Sequence, residues 1–314
     1  MTGADSYLMV NKIRFYRFLS LMVFFYLVGC AVKTPPPLPI NHPPETSRAR
    51  LRMGIALKER GDYDGAMSSF NEAIRLDPHN VEAFEERGFI SLVRGNFAAA
   101  VEDFSNAITI NPLATGAYFN RAAVFMMARK YPEAIKDYNT IIARDPRNAL
   151  AYGNRAAAYS FMGEYDRALA DLNRAIHMSP ENSELLYTRG VVNYNRKDFD
   201  AAASDLTAFI AVNPSREEAY FERALVYLES GHYADALKDF TSAINLNPAN
   251  AEAYFFRAST LEKMGAYADA LAAYQIFLDL NIPDSATSHI HEAMESMKTI
   301  KEKMQQVRGA PQVK

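Results

Sequence analysis

Residues 115–148 read TGAYFNRAAVFMMARKYPEAIKDYNTIIARDPRN, and residues 149–182 read ALAYGNRAAAYSFMGEYDRALADLNRAIHMSPEN. The two stretches have the same length and the same order of small, large and charged residues. The period continues in both directions without insertion, so seven units of 34 residues occupy 238 of the 314 positions, from Ser47 to Asp284. A fixed period of this length predicts a solenoid, in which each unit packs against its neighbours.

Columns of equivalent positions show what each unit contains. Apolar residues recur at helical spacing in two segments per unit, which predicts two antiparallel helices. In five units a glycine separates the segments, where a turn needs relaxed backbone geometry (Gly61, Gly95, Gly163, Gly231, Gly265). Six units have a proline at position 32, which ends the second helix (Pro78, Pro112, Pro146, Pro180, Pro214, Pro248), and the last proline, Pro283, comes one residue later.

A small column and a large column predict how the helices pack. Position 20 is alanine throughout (Ala66, Ala100, Ala134, Ala168, Ala202, Ala236, Ala270), so the two helices can approach closely. Position 24 is large and fills the gap to the following unit (Phe70, Phe104, Tyr138, Leu172, Leu206, Phe240, Tyr274).

The combination of columns resembles the tetratricopeptide repeat family, which has a large residue at position 4, a small one at 8, alanine at 20 and proline at 32. Position 4 is large in six units (Phe84, Tyr118, Tyr152, Leu186, Tyr220, Tyr254), and position 8 is glycine or alanine in all seven. The resemblance implies an all-α fold, an α-solenoid wound as a right-handed superhelix of seven helix-turn-helix units over residues 47–284.

The helix ends can also be predicted. Asparagines two residues after the prolines are expected to cap the first helix of the next unit (Asn80, Asn148, Asn182, Asn250). Apolar residues at three- and four-residue spacing through 285–308 predict a C-terminal helix that caps the last unit, and a membrane-surface helix is the alternative. Residues 309–314 are expected to be a disordered tail.

Arginine occupies position 7 in six units (Arg87, Arg121, Arg155, Arg189, Arg223, Arg257), and aspartate occupies position 23 in five (Asp103, Asp137, Asp171, Asp205, Asp239). The matching columns predict buried ion pairs. The sequence leaves open whether each arginine meets the aspartate of its own or of the preceding unit. Binding of phosphate or carboxylate ligands is the alternative use of such a column.

The N-terminus carries a second informative pattern. Lys12, Arg14 and Arg17 precede an apolar run of about twelve residues, which is typical of a secretory signal and shorter than the ~20 residues that a membrane-spanning helix needs. The run ends in Leu-Val-Gly-Cys at Cys30, which resembles the bacterial lipobox. We therefore interpret 1–29 as a lipoprotein signal peptide, with Met9 as an alternative start, and Cys30 as the lipidated residue; an ordinary cysteine in a signal or anchor is the alternative.

Residues 30–46 contain six prolines and are predicted to form an extended tether after the acylated cysteine. The resemblance to lipoproteins implies an anchor of fatty acyl chains such as palmitate. Ala31 follows the cysteine, where inner-membrane retention is typically signalled by aspartate. The expected location is therefore the outer membrane, with the repeats on its periplasmic face.

Composition argues against several function classes. The formal net charge is −3, and it becomes −5 without residues 1–29, so no basic surface for nucleic acid is expected. No glycine-rich phosphate loop is present, and His289 and His291 are two apart on a predicted helix, which does not suit a shared metal ion. We expect no cofactor, no metal and no enzymatic activity.

In the tetratricopeptide family the first helix of each unit lines a concave groove. The resemblance therefore predicts that apolar and amide residues on these helices bind a partner (Phe119, Asn120, Met126, Met127, Asn154, Phe161, Tyr187, Tyr194, Phe221, Phe255). Packing between units is the alternative for each of them. Asn120 and Asn154 resemble part of the asparagine ladder that holds a peptide backbone, but Glu85 stands where a chaperone-type carboxylate clamp would need lysine.

These features predict a lipid-anchored periplasmic scaffold that binds a segment or helix of a protein partner and serves in envelope assembly. Pilus or secretin assembly and peptidoglycan-related scaffolding are the processes that the family analogy suggests. Capture of a glycan or lipid in the groove is the alternative. The sequence predicts no oligomeric state.

Overall fold

The computed structural model describes residues 45–280 and 287–309. Within these ranges the chain forms fifteen α-helices and no strand. The predicted signal peptide, Cys30 and nearly all of the tether lie outside the described residues, as does most of the predicted tail. The chain divides into two compact units, Met1–Met178 and Ser179–Lys314, which we call the N-terminal and C-terminal units.

The N-terminal unit contains four helical hairpins. Each helix packs against the next along the chain, because neither helix of a hairpin buries its apolar face alone. The helices are α1 (Glu45–Glu59), α2 (Tyr63–Leu76), α3 (Val81–Val93), α4 (Phe97–Ile110), α5 (Thr115–Met127), α6 (Tyr131–Arg144), α7 (Ala149–Phe161) and α8 (Tyr165–Met178).

The C-terminal unit contains three hairpins and one longer final helix, which packs against α13 and α14. The helices are α9 (Glu184–Asn195), α10 (Phe199–Val212), α11 (Glu217–Glu229), α12 (Tyr233–Leu246), α13 (Ala251–Lys263), α14 (Tyr267–Asp279) and α15 (Thr287–Gly309). The all-α solenoid of stacked hairpins predicted from the period is confirmed. None of the helices in the described ranges is long and apolar enough to cross a bilayer.

Several boundaries differ from the predicted ones. Helix α1 begins at Glu45, so the last two residues of the predicted tether are helical. The final helix ends at Gly309, the first residue of the predicted tail. The side chains of Asn80, Asn148 and Asn250 each accept a hydrogen bond from the third backbone N–H that follows, as expected for N-caps. The fourth predicted cap, Asn182, is wrong, because Ser183 occupies that position and makes no capping side-chain bond.

The turn between the two helices of a hairpin uses a left-handed backbone conformation. The five predicted turn glycines have φ between 73° and 81°. Arg129 and Lys197 occupy the same position in the other two hairpins with φ of 58° and 67°, so the turn geometry is kept even without glycine. A side chain in this conformation brings Cβ close to the following carbonyl oxygen.

Gly163 (φ +77°) provides a test of this turn. We expect Gly163→Ala to lower the free energy of unfolding by about 1 kcal/mol, because only the backbone conformation disfavours a Cβ there. Nothing lies within 4 Å of an added Cβ, so steric overlap does not contribute. Urea unfolding measures the change. Arg129→Gly should have the opposite sign, and an unchanged Gly163→Ala midpoint would contradict the argument.

The small and large columns meet as predicted. The position-20 alanines are fully buried, and Phe70, Phe104, Leu172, Leu206 and Phe240 at position 24 are fully buried with them. The position-8 residues allow this close approach. A Cβ on Gly54 would lie 2.4 Å from Cε1 of Phe70, which is much shorter than any real contact. The small residue is therefore required by packing at this point.

Each paired arginine meets the aspartate of its own repeat, which settles the choice that the sequence left open. In four repeats whose bonds are fully described, the guanidinium Nε and one terminal nitrogen donate to the two carboxylate oxygens, and the other terminal nitrogen donates to the preceding repeat. For Arg87 these acceptors are Asp103, at 3.0 and 2.6 Å, and Asn71 Oδ1, at 2.7 Å. The aspartate side chains are at most 9% exposed, so these are structural ion pairs.

The last repeat breaks this pattern. Ala273 replaces the aspartate, and the buried Nε of Arg257 has no hydrogen-bond partner among the described residues. We expect Ala273→Asp to raise the free energy of unfolding by about 1 kcal/mol, because a charged hydrogen bond forms while desolvation of the new carboxylate offsets part of the gain. Urea unfolding of this variant and of Ala273→Asn as the uncharged control measures the effect. A loss of stability specific to the aspartate would contradict it.

Candidate partner-binding groove

The first helices of successive repeats lie side by side within each unit. In the N-terminal unit α1 contacts α3 and α3 contacts α5. Their equivalent positions therefore form one continuous face, which we call the α3–α5 face after the two helices that contribute most to it. The face has an acidic part formed by glutamates of α3 and an amide-containing part in the middle of α5. Its apolar part lies at the C-terminal ends of α3, α5 and α7.

The predicted contact residues of the N-terminal unit are of two kinds. Phe119, Asn120, Met126 and Asn154 are each at most 8% exposed, and the Phe119 ring lies 6.1 Å from that of Tyr138. They form the floor of the face and the packing beneath it. Met127 and Phe161 are only partly buried. They are therefore the predicted residues that a partner can reach directly in this unit.

Both partly buried residues belong to an apolar strip at the C-terminal ends of the first helices. Met127 packs against the buried cluster of Leu92, Ala100, Phe104 and Val124. The Phe161 ring stacks on Tyr131 with centroids 5.4 Å apart and planes 18° apart. Val93 and Met162, which the sequence reasoning did not select, extend the strip and are 48% and 41% exposed. They could have been selected from the sequence, because Val93 occupies position 13 of its repeat, as Met127 and Phe161 do, and Met162 occupies position 14.

In the C-terminal unit the predicted aromatic residues pack inside the hairpins. Their exposed fractions are 2–6%, and each ring contacts an aromatic residue of a second helix of its own repeat. The partners are Phe209 for Tyr187, Phe199 for Tyr194, Phe240 for Phe221, and Phe277 for Phe255. This is the packing role that the sequence left open for them, and their contact with a partner stays a prediction.

The polar part of the α3–α5 face contains an acceptor without a donor. Asn120 is 8% exposed, and its Oδ1 has no hydrogen-bond partner among the described residues. A buried amide oxygen without a donor costs about 1–3 kcal/mol, so such atoms are rare in folded proteins. This oxygen is itself enclosed by the protein, so a partner reaches it only if the surrounding side chains move.

Three glutamates of α3, Glu82, Glu85 and Glu86, form an acidic part of the face. Lys58 Nζ donates to Glu86 at 2.5 Å and lies 5.3 Å from the centre of the Phe89 ring. The N-cap residue of α5, Ala114, makes no capping side-chain bond, and its carbonyl accepts from the Ala117 N–H at 3.1 Å. Glu85 lies close enough to the same N–H for it to lower the pKa of the Glu85 carboxyl group.

Burial, with a smaller contribution from the charges of Glu82 and Glu86, raises the pKa of Glu85 to about 7, although the Ala117 N–H lowers it slightly. Burial also raises the pKa of Glu82. In the sequence, Glu85 stands where a carboxylate clamp would need lysine, and Glu86 stands where an asparagine ladder would need asparagine. The sequence could have predicted this group, because Glu85 and Glu86 follow Glu82 by three and four residues and therefore lie on the same face of the helix.

The buried histidine near the start of α15 packs against an aromatic residue of α13. His289 is 2% exposed, and its ring stacks on Phe255 with centroids 4.3 Å apart. Burial lowers its pKa to about 4, so it is neutral at physiological pH. Within the described ranges, no group of three or more histidine, cysteine, aspartate or glutamate residues is arranged to hold a metal ion.

Sequence models of one repeat family match most of the chain. Together they cover residues 54–285 without a gap. Three are described as tetratricopeptide repeat and match residues 91–149 and 221–285, 149–182, and 166–221; the fourth is described as TPR repeat and matches 54–91. The chain belongs to the tetratricopeptide repeat family.

Solved structures show the same fold as this tetratricopeptide repeat protein. A tetratricopeptide repeat protein from Parabacteroides merdae has a TM-score of 0.65 and 18% identity, over 82% of this chain and 100% of that one. PilW, a type IV pilus biogenesis factor, has a TM-score of 0.60 and 17% identity, over 67% and 97%. The C-terminal part of a repeat protein from Cytophaga hutchinsonii has a TM-score of 0.58 and 16% identity, over 76% and 98%. No curated protein is significantly similar to this tetratricopeptide repeat protein.

Proposed function

We propose that this protein is a lipid-anchored scaffold of the bacterial envelope, whose α3–α5 face binds a segment of a protein partner without chemical turnover. The fold itself is a scaffold suited to protein–protein interaction, and no enzyme family matches it. The single observation that carries the proposal is the exposed apolar strip at the ends of the family's ligand-binding helices, where Val93 and Met162 are 48% and 41% exposed. An extended segment of a partner can supply apolar side chains for this strip.

The apolar strip supports a protein ligand. Val93 and Met162 expose nearly half of their surface, and methionine adapts to differently shaped partners. The Phe161 ring has one side covered by Tyr131, which reduces the flat aromatic surface that a sugar would need for stacking. These contacts favour a peptide segment over the glycan alternative.

The anchor and the location rest on the sequence around Cys30. A basic segment, a short apolar run and a glycine before the cysteine support lipid attachment, and Ala31 supports the outer membrane. PilW has the same fold and is a pilus biogenesis factor, which makes an envelope assembly process the context that we propose. The proposed partner is accordingly a periplasmic or envelope protein.

Partner capture from envelope fractions tests the scaffold function. We expect the double variant Val93→Ser/Met162→Ser to recover at least about tenfold less of the principal cross-linked protein than the wild type, since 1.4 kcal/mol of lost binding energy is a factor of ten. Val212→Ser is the matched control, because Val212 is 68% exposed in the C-terminal unit and lies outside the face. Equal recovery with all three proteins would reject the α3–α5 face as the contact surface. A glycan or lipid found in the purified protein by mass spectrometry would instead favour the alternative function.

Membrane fractionation tests the anchor separately. Intact-mass analysis of the wild type should show a chain beginning at Cys30 and carrying acyl groups. Cys30→Ala should leave the chain free of added lipid and outside the outer-membrane fraction. An unmodified thiol in the wild-type protein would contradict the anchor while leaving the binding face untouched.

A further inference from the structure

The final helix covers the aromatic end of the last repeat. Helix α15 packs on α13 and α14, and its apolar side joins the buried cluster that contains Phe277. His289 is a polar member of this interface and is 2% exposed. The centre of its ring lies 4.3 Å from that of Phe255 and 5.5 Å from that of Phe256, both on α13. The histidine therefore sits where the cap meets the last repeat.

One nitrogen of this ring is enclosed without a hydrogen bond. Within the described ranges, Nδ1 of His289 has no partner. A neutral ring tolerates this position, because a bare nitrogen carries no charge. Protonation would place a positive charge and a second N–H donor where no acceptor lies within reach, which is costly in a buried site. Water can reach the ring to accommodate the proton only when α15 separates from α13.

Charged groups of the same interface do not offset this cost. The Tyr274 hydroxyl on α14 donates to Glu262 on α13 at 3.0 Å, and Glu262 in turn lies beside Glu292 on α15. The other titratable residues of the interface helices are Glu252 at the start of α13, Tyr267 with Lys303 over its ring, and the exposed His291. None of them changes the pKa of His289, which burial alone lowers from its ordinary value of 6.5 to about 4.

The last repeat is also held less firmly than the others. Ala273 stands where five repeats have the aspartate of an ion pair, and Nε of Arg257 is enclosed without a partner among the described residues. Three enclosed side-chain atoms of the described chain lack a hydrogen bond, and two of these belong to α13 and α15. An end of the solenoid with two such atoms should open at a lower free energy than the rest.

We propose that α15 is an acid-released cap: protonation of His289 detaches α15 from the last repeat and uncovers the aromatic surface of α13, while the hairpins before it stay folded. All of the residues involved lie in the C-terminal unit, outside the α3–α5 face, so the proposal goes beyond the proposed function. The device is built from one enclosed nitrogen at a helix–helix contact and from the missing ion pair beside it.

The direction of the effect follows from the docked and released states. His289 has a lower pKa in the docked state, so release is favoured as the pH falls from 6.5 toward 4. Between pH 7 and pH 5, His289 alone should raise the ratio of released to docked α15 about twentyfold. Glu292 acts in the opposite direction, because partial burial and then the charge of Glu262 raise its pKa in the docked state. The expected net rise is about tenfold.

Limited proteolysis of the purified protein with papain at pH 5, 6 and 7 measures this ratio. An isolated helix of this length is only marginally stable in water, so released α15 is cut and docked α15 is not. The cleavage rate within residues 287–309, located by mass spectrometry, is divided by that of a synthetic peptide of the same residues at the same pH. This quotient removes the pH dependence of the protease and follows the population of the released state.

Two histidine variants separate the enclosed ring from an exposed one. His289→Phe keeps an aromatic ring against Phe255 but cannot take up a proton. His291→Gln removes an exposed histidine two residues away and is the matched control. The ratio should rise about tenfold from pH 7 to pH 5 in the wild type and in His291→Gln, and should not rise in His289→Phe. Glu292→Gln removes the opposing titration, so its rise should be larger than that of the wild type.

A constant ratio in the wild type, or an equal rise in His289→Phe, would overturn the acid-released cap. A smaller rise in Glu292→Gln than in the wild type would overturn it as well, and this variant keeps the test valid if His289→Phe does not fold. Cleavage of the hairpins at the same pH as α15 would show that acid unfolds the repeats and does not release the cap alone. Each of these results leaves the partner-binding function of the α3–α5 face unaffected.

Discussion

Asp239→Ala is expected to lower the free energy of unfolding by about 3 kcal/mol, because it leaves the guanidinium of Arg223 buried without its charge partner. The Asp239 side chain is 4% exposed and that of Arg223 is 15% exposed. Arg223 donates from Nε at 2.6 Å and from a terminal nitrogen at 2.9 Å. The remaining exposure of the arginine places the expected loss at the lower end of the range for a broken buried pair.

Urea unfolding followed by circular dichroism measures this loss. The double variant Arg223→Met/Asp239→Leu is the control, since apolar residues of similar volume remove both charges together. We expect it to recover most of the stability, because the cost comes mainly from the unpaired charge. A double variant as unstable as Asp239→Ala would show that the pair contributes through its geometry instead.

Phe240→Ala is expected to lower the free energy of unfolding by about 4 kcal/mol through the cavity it leaves in the C-terminal unit. Phe240 is fully buried, and its ring centre lies 5.8 Å from that of Phe221 and 6.1 Å from that of Phe256. The neighbouring rings are held on α11 and α13, so they can close the space only partly.

Leu246→Ala on the same helix is the matched control for this cavity. Leu246 is 44% exposed, so its truncation should cost less than about 1 kcal/mol. The two variants can be compared directly in urea. Similar losses would mean that helix propensity or the unfolded state dominates rather than the cavity.

The fold could be predicted from the sequence because the same physical requirements recur seven times. Ala66 and Phe70 become recognisable as a close contact and a filler only when their equivalents in the other repeats are seen together. The ion pairs were also predictable as columns. The choice between own-repeat and preceding-repeat partners was not, because it depends on the direction in which each guanidinium points.

The candidate site was less predictable. Phe221 and Phe255 occupy positions that the family uses for ligands, yet here they pack against the second helices of their own repeats. Periodicity assigns a residue to a helix face but does not tell how much of it the next repeat covers. Asn120 was predicted to contact a partner, but its burial and its missing hydrogen-bond donor are visible only in three dimensions.

Glu85 shows a second limit of reading a sequence by family pattern. Its departure from a lysine position was used only as evidence against a carboxylate-clamp ligand. The structure adds that Glu85 is buried and lies close to two other carboxylates. Burial first, and then the charges of Glu82 and Glu86, raise its pKa.

In the arginine column, the terminal guanidinium nitrogen that does not bond the aspartate links its repeat to the repeat before it. The contacts between repeats therefore have a direction along the chain. Arg121 reaches back to Ser105 and Arg155 to Asn139 in the N-terminal unit, as Arg223 reaches back to Thr207 in the C-terminal unit. An arginine loosened from its own aspartate also loses its hold on the hairpin before it, whereas the hairpin after it keeps its own arginine. Local unfolding of one repeat should therefore spread first to its amino-terminal neighbour. Protection of the backbone amides from hydrogen exchange should fall in that neighbour before it falls on the carboxy-terminal side.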